Sequence, residues 1–306
     1  MKVFVTGGTG AIGRFVIPAL IDAGHEVSAL ARDDAKASSL EAQGTHPVHV
    51  SLFDVEGLTA AFAGHDAVAN LATSIPPTKA AFKAAWEMNT RIRKEGSTAV
   101  VDAALAAGVP RLIQESISFM MADGGDRWLD EDSPVDAPPG IDAGLVAERN
   151  AARFTEAGRA GVVLRFGFFY GPGSAQSDEF LRAARRHIGP RAGRPRAYQS
   201  SIHLADAASA VVATLEMPVE SASGVYNVVD DEPMTKKAYA NALGEAVGKR
   251  PWIYLPGRLT RLVGNSSIVV TRSSRVRNDK FKAATGWRPK YRSARDGLLA
   301  RDTADA

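Results

Sequence analysis

The stretch Thr6-Gly7-Gly8-Thr9-Gly10-Ala11-Ile12-Gly13 directly follows the apolar run 3–5 and opens an amphipathic segment. Glycine at positions 7, 10 and 13 allows a tight turn, a close approach of the backbone to a pyrophosphate, and close packing of a helix against a strand. The N-terminus of the helix that follows attracts an anion. The motif therefore predicts a dinucleotide-binding turn between a first strand and a first helix, and favours a cofactor site over a ligand-free βα turn.

Short β-branched runs alternate with Ala-rich amphipathic stretches through the first half of the chain, which is typical of βαβ units around a parallel sheet. The predicted strands cover residues 3–5, 26–30, 47–50, 67–71, 111–114 and 162–165, and the predicted helices cover residues 13–23, 34–43, 55–63, 80–107 and 144–158. This spacing indicates an α/β fold with a doubly wound parallel sheet of the Rossmann type. We expect the Rossmann domain to span residues 1–165, with residues 200–230 returning to it. Residues 166–306 are expected to form a smaller C-terminal α/β substrate lobe.

The composition is that of an ordinary globular protein: 45% of the 306 residues are hydrophobic and 23% are charged. The absence of cysteine excludes disulfides, thiolate metal sites, iron–sulfur clusters and a cysteine nucleophile. The six histidines lack ligand spacing, so no metal is expected. A net charge of +3 is too small to indicate nucleic-acid binding, and no window resembles a membrane span. We therefore expect a soluble, cytoplasmic protein without nucleic-acid or membrane partners.

Further motifs follow the glycine turn in a fixed order. They are Val-Ala-Asn-Leu-Ala at 68–72, Asn89 with Thr90, Arg-Phe-Gly-Phe-Phe-Tyr-Gly-Pro-Gly at 165–173, Ser-Ile-His-Leu-Ala-Asp-Ala-Ala at 201–208, and Lys-Ala-Ala-Thr-Gly-Trp-Arg-Pro at 282–289. Together with the turn, they resemble the fingerprint of the extended short-chain dehydrogenase/reductases, the group that includes nucleotide-sugar epimerases and dehydratases. The resemblance covers nearly the whole chain. It implies a nicotinamide cofactor and a small hydroxy or carbonyl substrate.

The end of the second predicted strand distinguishes NADP from NAD. An acidic residue there holds the ribose 2′-hydroxyl of NAD, whereas an arginine accommodates a 2′-phosphate. Here Ala31 takes the acidic position and Arg32 follows, with Arg14 as a second candidate cation, so we expect NADP; the alternative is that both arginines only face solvent. The resemblance implies that the cofactor also contacts Gly7, Thr9, Gly10, Ala11, Ile12, Gly13, Ser51, Leu52, Leu71, Ala72, Thr73, Asn89, Phe166, Phe168 and Phe169.

The proton relay of this family is missing. Its enzymes exchange a proton with the substrate oxygen through a Tyr-x-x-x-Lys helix and a Ser or Thr after the fifth strand. The resemblance places the tyrosine on Gly140, the lysine on Gly144 and the serine on Ile117. The flanking Ser116 and Ser118 become catalytic candidates, and the further polar candidates are Thr73, Gln114, Glu115 and Tyr170. Two interpretations stay open: an atypical oxidoreductase or epimerase-like enzyme, which we favour, and a catalytically silent NADP(H)-binding sensor.

Basic residues dominate two later segments. Residues 182–196 contain six arginines and no acidic residue, and residues 249–301 contain 14 basic residues against two acidic ones. This pattern favours an anionic substrate, with Arg272 and Arg275 as candidate ligands, and the alternative is a solvated surface. The resemblance also implies a homodimer formed through the helices predicted at 80–107 and 144–158.

Overall fold

The computed structural model describes residues 1–75, 83–189, 193–254 and 271–300. The strands in these residues are β1 (Lys2–Thr6), β2 (Glu26–Ala31), β3 (His46–His49), β4 (Ala67–Asn70), β5 (Arg111–Ile117), β6 (Trp128–Leu129), β7 (Ala160–Phe166), β8 (Phe168–Tyr170), β9 (Ile188–Gly189), β10 (Tyr198–Gln199), β11 (Ser201–His203), β12 (Gly224–Val228), β13 (Met234–Thr235), β14 (Ile253–Tyr254) and β15 (Arg275–Val276). Seven of them form a parallel sheet in the order β12-β7-β5-β4-β1-β2-β3.

Helices connect the strands of this sheet and build the second lobe. They are α1 (Gly13–Asp22), α2 (Asp34–Glu41), α3 (Val55–Phe62), α4 (Lys83–Arg91), α5 (Ser97–Ala106), α6 (Ala143–Glu156), α7 (Ala175–Arg185), α8 (Leu204–Leu215), α9 (Lys236–Ala246), α10 (Asp279–Thr285) and α11 (Ala294–Leu299). A π-helical turn, Ile92–Gly96, joins α4 to α5. None of the described helices is both long and apolar enough to cross a membrane.

Apolar side chains cover both faces of the sheet, as in other parallel sheets that helices enclose. Along β1, Val3 and Val5 point into a core shared with α1 and α8, whereas Phe4 points into a core shared with α3, α5 and α6. All three side chains are fully buried. This three-layer packing confirms the predicted α/β fold class with a doubly wound parallel sheet.

The order of the strands fixes where a ligand can bind. From β1 the chain passes outward through β2 and β3, and it then returns to the other side of β1 at β4. The chain therefore leads to a helix on one face of the sheet after β1 and to helices on the other face after β4, and a crevice opens at the carboxyl ends of the strands. Thr6 and Asn70 end their strands side by side at this point, and the Thr6 hydroxyl donates a hydrogen bond of 2.6 Å to the Asn70 side chain.

Residues beyond β7 contribute to the sheet and to a second core. Strand β12 pairs in parallel with β7 at the edge of the sheet. A separate apolar cluster forms around Tyr170, Ala184, Tyr239, Leu243 and Ala294. The boundary of the two domains at residue 165 stays a prediction.

The helix predicted at 80–107 is interrupted within its described part. Residues 83–106 form α4, the π-helical turn and α5 in succession, while residues 80–82 lie outside the described residues. Within the turn, the Arg93 carbonyl accepts a hydrogen bond of 2.6 Å from the Ser97 hydroxyl. Arg93 is buried by this arrangement, with 4% of its surface exposed. π-helical turns often mark functional positions.

Candidate functional site

The glycine turn packs tightly against the loop after β4. Gly7 has a φ of 73°, and a β-carbon built there would lie 2.7 Å from the Leu71 carbonyl oxygen. A β-carbon on Gly13 would lie 2.3 Å from the carbonyl oxygen of Gly7. A side chain at either position would therefore collide with backbone, which explains the need for glycine. Because these glycines carry no side chain, a pyrophosphate can approach the backbone N–H groups at the start of α1.

A cavity of about 780 Å³ extends from this turn across the carboxyl ends of β1 to β5. Its volume lies within the roughly 300–1,000 Å³ that is usual for small-molecule sites. The structure brings most of the predicted cofactor residues together on its wall: Gly7, Thr9, Gly10, Ala11, Ile12, Arg32, Ser51, Leu52, Leu71, Ala72, Thr73 and Phe169. A nicotinamide dinucleotide fits this donor set, because the turn, the cations beside β2 and the apolar residues beyond β4 follow one another along the cavity.

Two cations lie at the end of the cavity beside β2. Arg32 follows β2 directly, Lys36 lies in the first turn of α2, and both line the cavity. Neither side chain forms an ion pair with a described residue, whereas Asp33 caps α2 by accepting a 2.8 Å hydrogen bond from the Lys36 backbone N–H. The acidic residue that follows Arg32 is thus used within the fold, and two cations face the cavity. This arrangement suits a 2′-phosphate.

The other predicted cation lies elsewhere. A β-carbon built on Gly173 would meet the Arg14 guanidinium at 3.0 Å, so Arg14 lies against the loop after β8 and does not line the cavity. Sequence reasoning missed Lys36. Its spacing of four residues from Arg32 was a usable signal, because the strand end and the first helical turn that follows face the same crevice.

Several predicted cofactor residues lie behind the wall of the cavity. The Asn89 side-chain oxygen accepts a hydrogen bond of 3.1 Å from the Ser74 backbone N–H, so Asn89 holds the loop after β4 from behind. Phe166 is fully buried in the core under α1 and α8, and Phe168 stacks on Phe119 with ring centroids 4.4 Å apart. Gly13 supports the turn through close packing. Of the three predicted phenylalanines, Phe169 lines the cavity.

The candidate serines are buried beside the cavity and do not line it. The Ser116 hydroxyl donates a hydrogen bond of 2.7 Å to Glu148 on α6. Arg165 grips the same carboxylate through two hydrogen bonds of 2.8 and 2.7 Å, and both side chains of this ion pair are at least nine-tenths buried. Ser116 therefore belongs to a network that ties β5 and β7 to α6. Ser118 lies in a single 3₁₀ turn after β5.

The two glycines in place of the tyrosine and the lysine are accommodated by their surroundings. Gly140 has a φ of 90° and its N–H donates to the Asp142 carboxylate at 2.9 Å. A β-carbon on Gly144 would lie 2.8 Å from the Met120 sulfur and 3.8 Å from Nη1 of Arg93. Among the described residues of the cavity wall there is no tyrosine, and the lysine there is Lys36 at the opposite end.

A buried ion pair takes up the space beside Gly144. Nη2 of Arg93 lies 3.0 and 2.8 Å from the two carboxylate oxygens of Glu115, and the two side chains are 4% and 3% exposed. Glu115 borders the cavity. Next to it, Gln114 accepts a hydrogen bond of 2.8 Å from the Asn70 side chain and continues the polar link that begins at Thr6.

The remaining candidates lie away from the cavity wall. Tyr170 is fully buried and its hydroxyl donates to the Ser293 carbonyl at 3.1 Å; burial, reinforced by Asp230, raises the pKa of Tyr170 above its usual range. Arg272 pairs with Asp136. The Arg275 guanidinium lies between the rings of Trp128 and Tyr198, 4.2 and 4.7 Å from their centroids.

A family model described as NAD(P)H-binding matches residues 7–218. The chain belongs to this NAD(P)H-binding family. Its predicted membership of the extended short-chain dehydrogenase/reductases is confirmed by full-length relatives of the epimerase type, among them the epimerase family protein SDR39U1 of Mus musculus, which is 28% identical over 98% of this chain and 100% of that protein.

Another relative covers the chain at higher identity. The 3-diazoavenalumate denitrifying reductase of a Streptomyces species is 35% identical over 97% of this chain and 99% of that protein. Among solved structures, human SDR39U1 (isoform 2) with NADPH has a TM-score of 0.80 at 23% identity and covers 98% of both chains. MoeE5 with UDP-glucuronic acid and NAD has a TM-score of 0.79 at 22% identity and covers 98% of this chain and 97% of its own. The two solved structures share the fold of this chain. The family model and the two full-length relatives support an NAD(P)-binding reductase or epimerase-type protein and do not favour the silent sensor.

Proposed function

We propose that this protein is an NADPH-dependent reductase that delivers hydride to a small acceptor requiring no proton from a protein acid. The observation that carries the proposal is the composition of the cavity on the β5 side. Gly140 and Gly144 stand where the family has its tyrosine and lysine, and the described wall supplies neither residue type there. A ketone would become an alkoxide that must be protonated, for which this side of the cavity has no family-type relay.

The residues present can hold NADPH along the whole cavity. The backbone of the glycine turn and the N-terminus of α1 would receive the pyrophosphate, and Arg32 with Lys36 would pair with the 2′-phosphate. Thr73 and Phe169 would flank the nicotinamide half. When bound, NADPH supplies the hydride. Human SDR39U1, solved with NADPH, supports this choice, whereas other neighbours carry NAD.

An aryl diazonium compound meets the requirement for an acceptor without protonation. Its carbon gains the hydride as the carbon–nitrogen bond breaks and dinitrogen leaves, while the positive charge passes to the oxidised nicotinamide. No proton enters or leaves in this step, so the missing relay is no obstacle. The Streptomyces relative is named for a diazo substrate and a denitrifying reduction, and that name supports this acceptor class.

An anionic group on the substrate is part of the proposal. Arg275 is the better candidate ligand, because its guanidinium is held against two rings and forms no ion pair within the described residues. Arg272 already pairs with Asp136. Neither arginine lines the cavity, so the anionic group would lie beyond the cavity wall. We further propose that residues 166–306 provide the substrate lobe and that the protein is a cytoplasmic homodimer, for which light scattering should give twice the mass of one chain.

Isotope transfer tests the proposed reaction. Purified protein is mixed with NADPH deuterated at C4 and with aryl diazonium compounds that carry or lack a carboxylate, and matched ketones are run in parallel. We expect one dinitrogen released and one deuterium on the former diazo carbon for each NADPH oxidised, at a rate that exceeds the protein-free reaction. Faster oxidation of NADPH with ketones, or a product without deuterium at that carbon, would refute the proposal.

A further inference from the structure

The Arg93–Glu115 ion pair has no counterpart in the family's proton relay, yet it lies where that relay would act. Nη1 of Arg93 is buried and has no hydrogen-bond partner among the described residues. It lies 3.8 Å from the point where a β-carbon on Gly144 would begin a side chain. Glycine at position 144 therefore leaves space for a cation that comes from another helix, through the π-helical turn Ile92–Gly96.

Glu115 has acceptor capacity beyond this ion pair. A carboxylate offers about four lone-pair positions. Among the described residues, Oε1 accepts a hydrogen bond of 3.0 Å from Nη2 of Arg93, whereas Oε2 lies 2.8 Å from the same nitrogen but has no hydrogen-bond partner. Glu115 borders the cavity, so a hydroxyl group of a bound ligand would meet there a buried carboxylate whose position Arg93 already fixes.

The position of Glu115 in the sheet identifies which part of the cofactor it would meet. The glycine turn follows β1, and Arg32 follows β2 on one side of it. Glu115 lies on β5, two strands from β1 on the other side, which is about 10 Å at the usual strand spacing. With the pyrophosphate over β1 and the 2′-phosphate beside β2, the cofactor group near β5 is the ribose that carries the nicotinamide.

We propose that Glu115 accepts hydrogen bonds from the hydroxyls of the nicotinamide ribose and that Arg93 is the positioning residue that holds this carboxylate. The pair thereby supplies, from β5 and the π-helical turn, an anchor for the reacting half of the cofactor. The proposal rests on the proposed function only in that the protein must bind a nicotinamide dinucleotide. It does not depend on the hydride acceptor.

Binding of two ligands to the full-length protein tests the assignment. NADPH contains the nicotinamide ribose, whereas 2′,5′-ADP contains the 2′-phosphate and adenosine but lacks that ribose. Calorimetric titration should give Glu115→Gln a weaker affinity for NADPH by about 10- to 100-fold, the usual range for a charge-assisted hydrogen bond. The affinity for 2′,5′-ADP should stay within about twofold of wild type.

Two further variants keep the test decisive if Glu115→Gln folds poorly. The double variant Arg93→Leu with Glu115→Leu removes both charges together, an exchange that buried ion pairs often tolerate. The double variant should lose affinity for NADPH to the same extent as Glu115→Gln and keep its affinity for 2′,5′-ADP. Arg93→Lys should retain more affinity for NADPH than the double variant. Glu148→Gln is the matched control: it also breaks a buried arginine–carboxylate pair, but Glu148 does not line the cavity, so its NADPH affinity should stay within about twofold of wild type.

The binding data distinguish a cofactor-binding role of the Arg93–Glu115 pair from a purely structural one. Unchanged NADPH affinity in the folded Glu115 variants would overturn the proposal and leave the pair with a purely structural role. An equal loss for NADPH and 2′,5′-ADP would also overturn it, because the pair would then support the whole cavity. If the wild-type protein binds neither NADPH nor NADH, the proposed function is overturned, and the ribose assignment with it.

Discussion

Replacing Arg32 by alanine should remove most of the preference for NADPH over NADH. Arg32 and Lys36 both line the cavity beside β2, and neither forms an ion pair with a described residue, so their charge is available to a 2′-phosphate. A charge-assisted hydrogen bond contributes about 1.5–3 kcal/mol, and the exposure of Arg32 places it near the lower value. Since about 1.4 kcal/mol is a factor of ten, Arg32→Ala should weaken NADPH binding about tenfold.

Fluorescence titration with NADPH and NADH measures this effect directly. Arg32→Ala should change the NADH dissociation constant by less than about twofold, and Arg32→Ala with Lys36→Ala should weaken NADPH binding about 100-fold if the two contacts are independent. The NADPH advantage should also shrink as salt rises, because the contact is exposed. Arg14→Ala is the matched control, since Arg14 lies against the loop at Gly173. An unchanged NADPH-to-NADH ratio in the Arg32 variant, or a larger change in the Arg14 variant, would refute this reasoning.

Three further perturbations test other parts of the structure. Gly13→Ala should weaken NADPH binding by at least about tenfold in calorimetry, because its β-carbon would meet the Gly7 carbonyl oxygen at 2.3 Å; wild-type affinity would contradict the turn geometry. Glu148→Gln should lower the free energy of unfolding in urea by about 3–5 kcal/mol, because it leaves Arg165 buried without its counter-charge, and a loss below about 1 kcal/mol would contradict this. Burial raises the pKa of Asp230 well above 3.8, so the stability from this group is present at lower pH and is lost as pH rises through the folded pKa. Asp230→Asn should therefore gain stability relative to wild type as urea midpoints are measured from about pH 4 upward, and a constant difference would refute the assignment.

Short sequence motifs predicted those parts of the site whose structure depends on residues close together in the chain. The glycine turn lies between β1 and α1 because its conformation and packing depend on neighbouring residues, and Arg32 faces the cavity because it directly follows a strand. The missing tyrosine and lysine could likewise be read from Gly140 and Gly144.

Side-chain partners across the sheet could not be predicted in the same way. Ser116 was a catalytic candidate because it follows the predicted strand 111–114, but β5 extends to Ile117 and strand alternation turns the Ser116 hydroxyl towards α6, where it binds Glu148. Glu115 was a candidate without a partner, because Arg93 lies 22 residues away in the chain. The Arg93 side chain reaches Glu115 from a π-helical turn, and such a turn cannot be predicted from the spacing of apolar residues.

The π-helical turn also bears on how this cleft could diverge in evolution. Such a turn accommodates an extra residue within a helix, and each residue of an α-helix advances the chain by about 100° around the axis. Deleting a single codon within residues 92–96 would let α4 and α5 join as one regular helix and would turn a different side chain towards Glu115. A single insertion or deletion in this helix could thus replace Arg93 beside the cofactor with another side chain. No single substitution elsewhere in the helix would have the same effect.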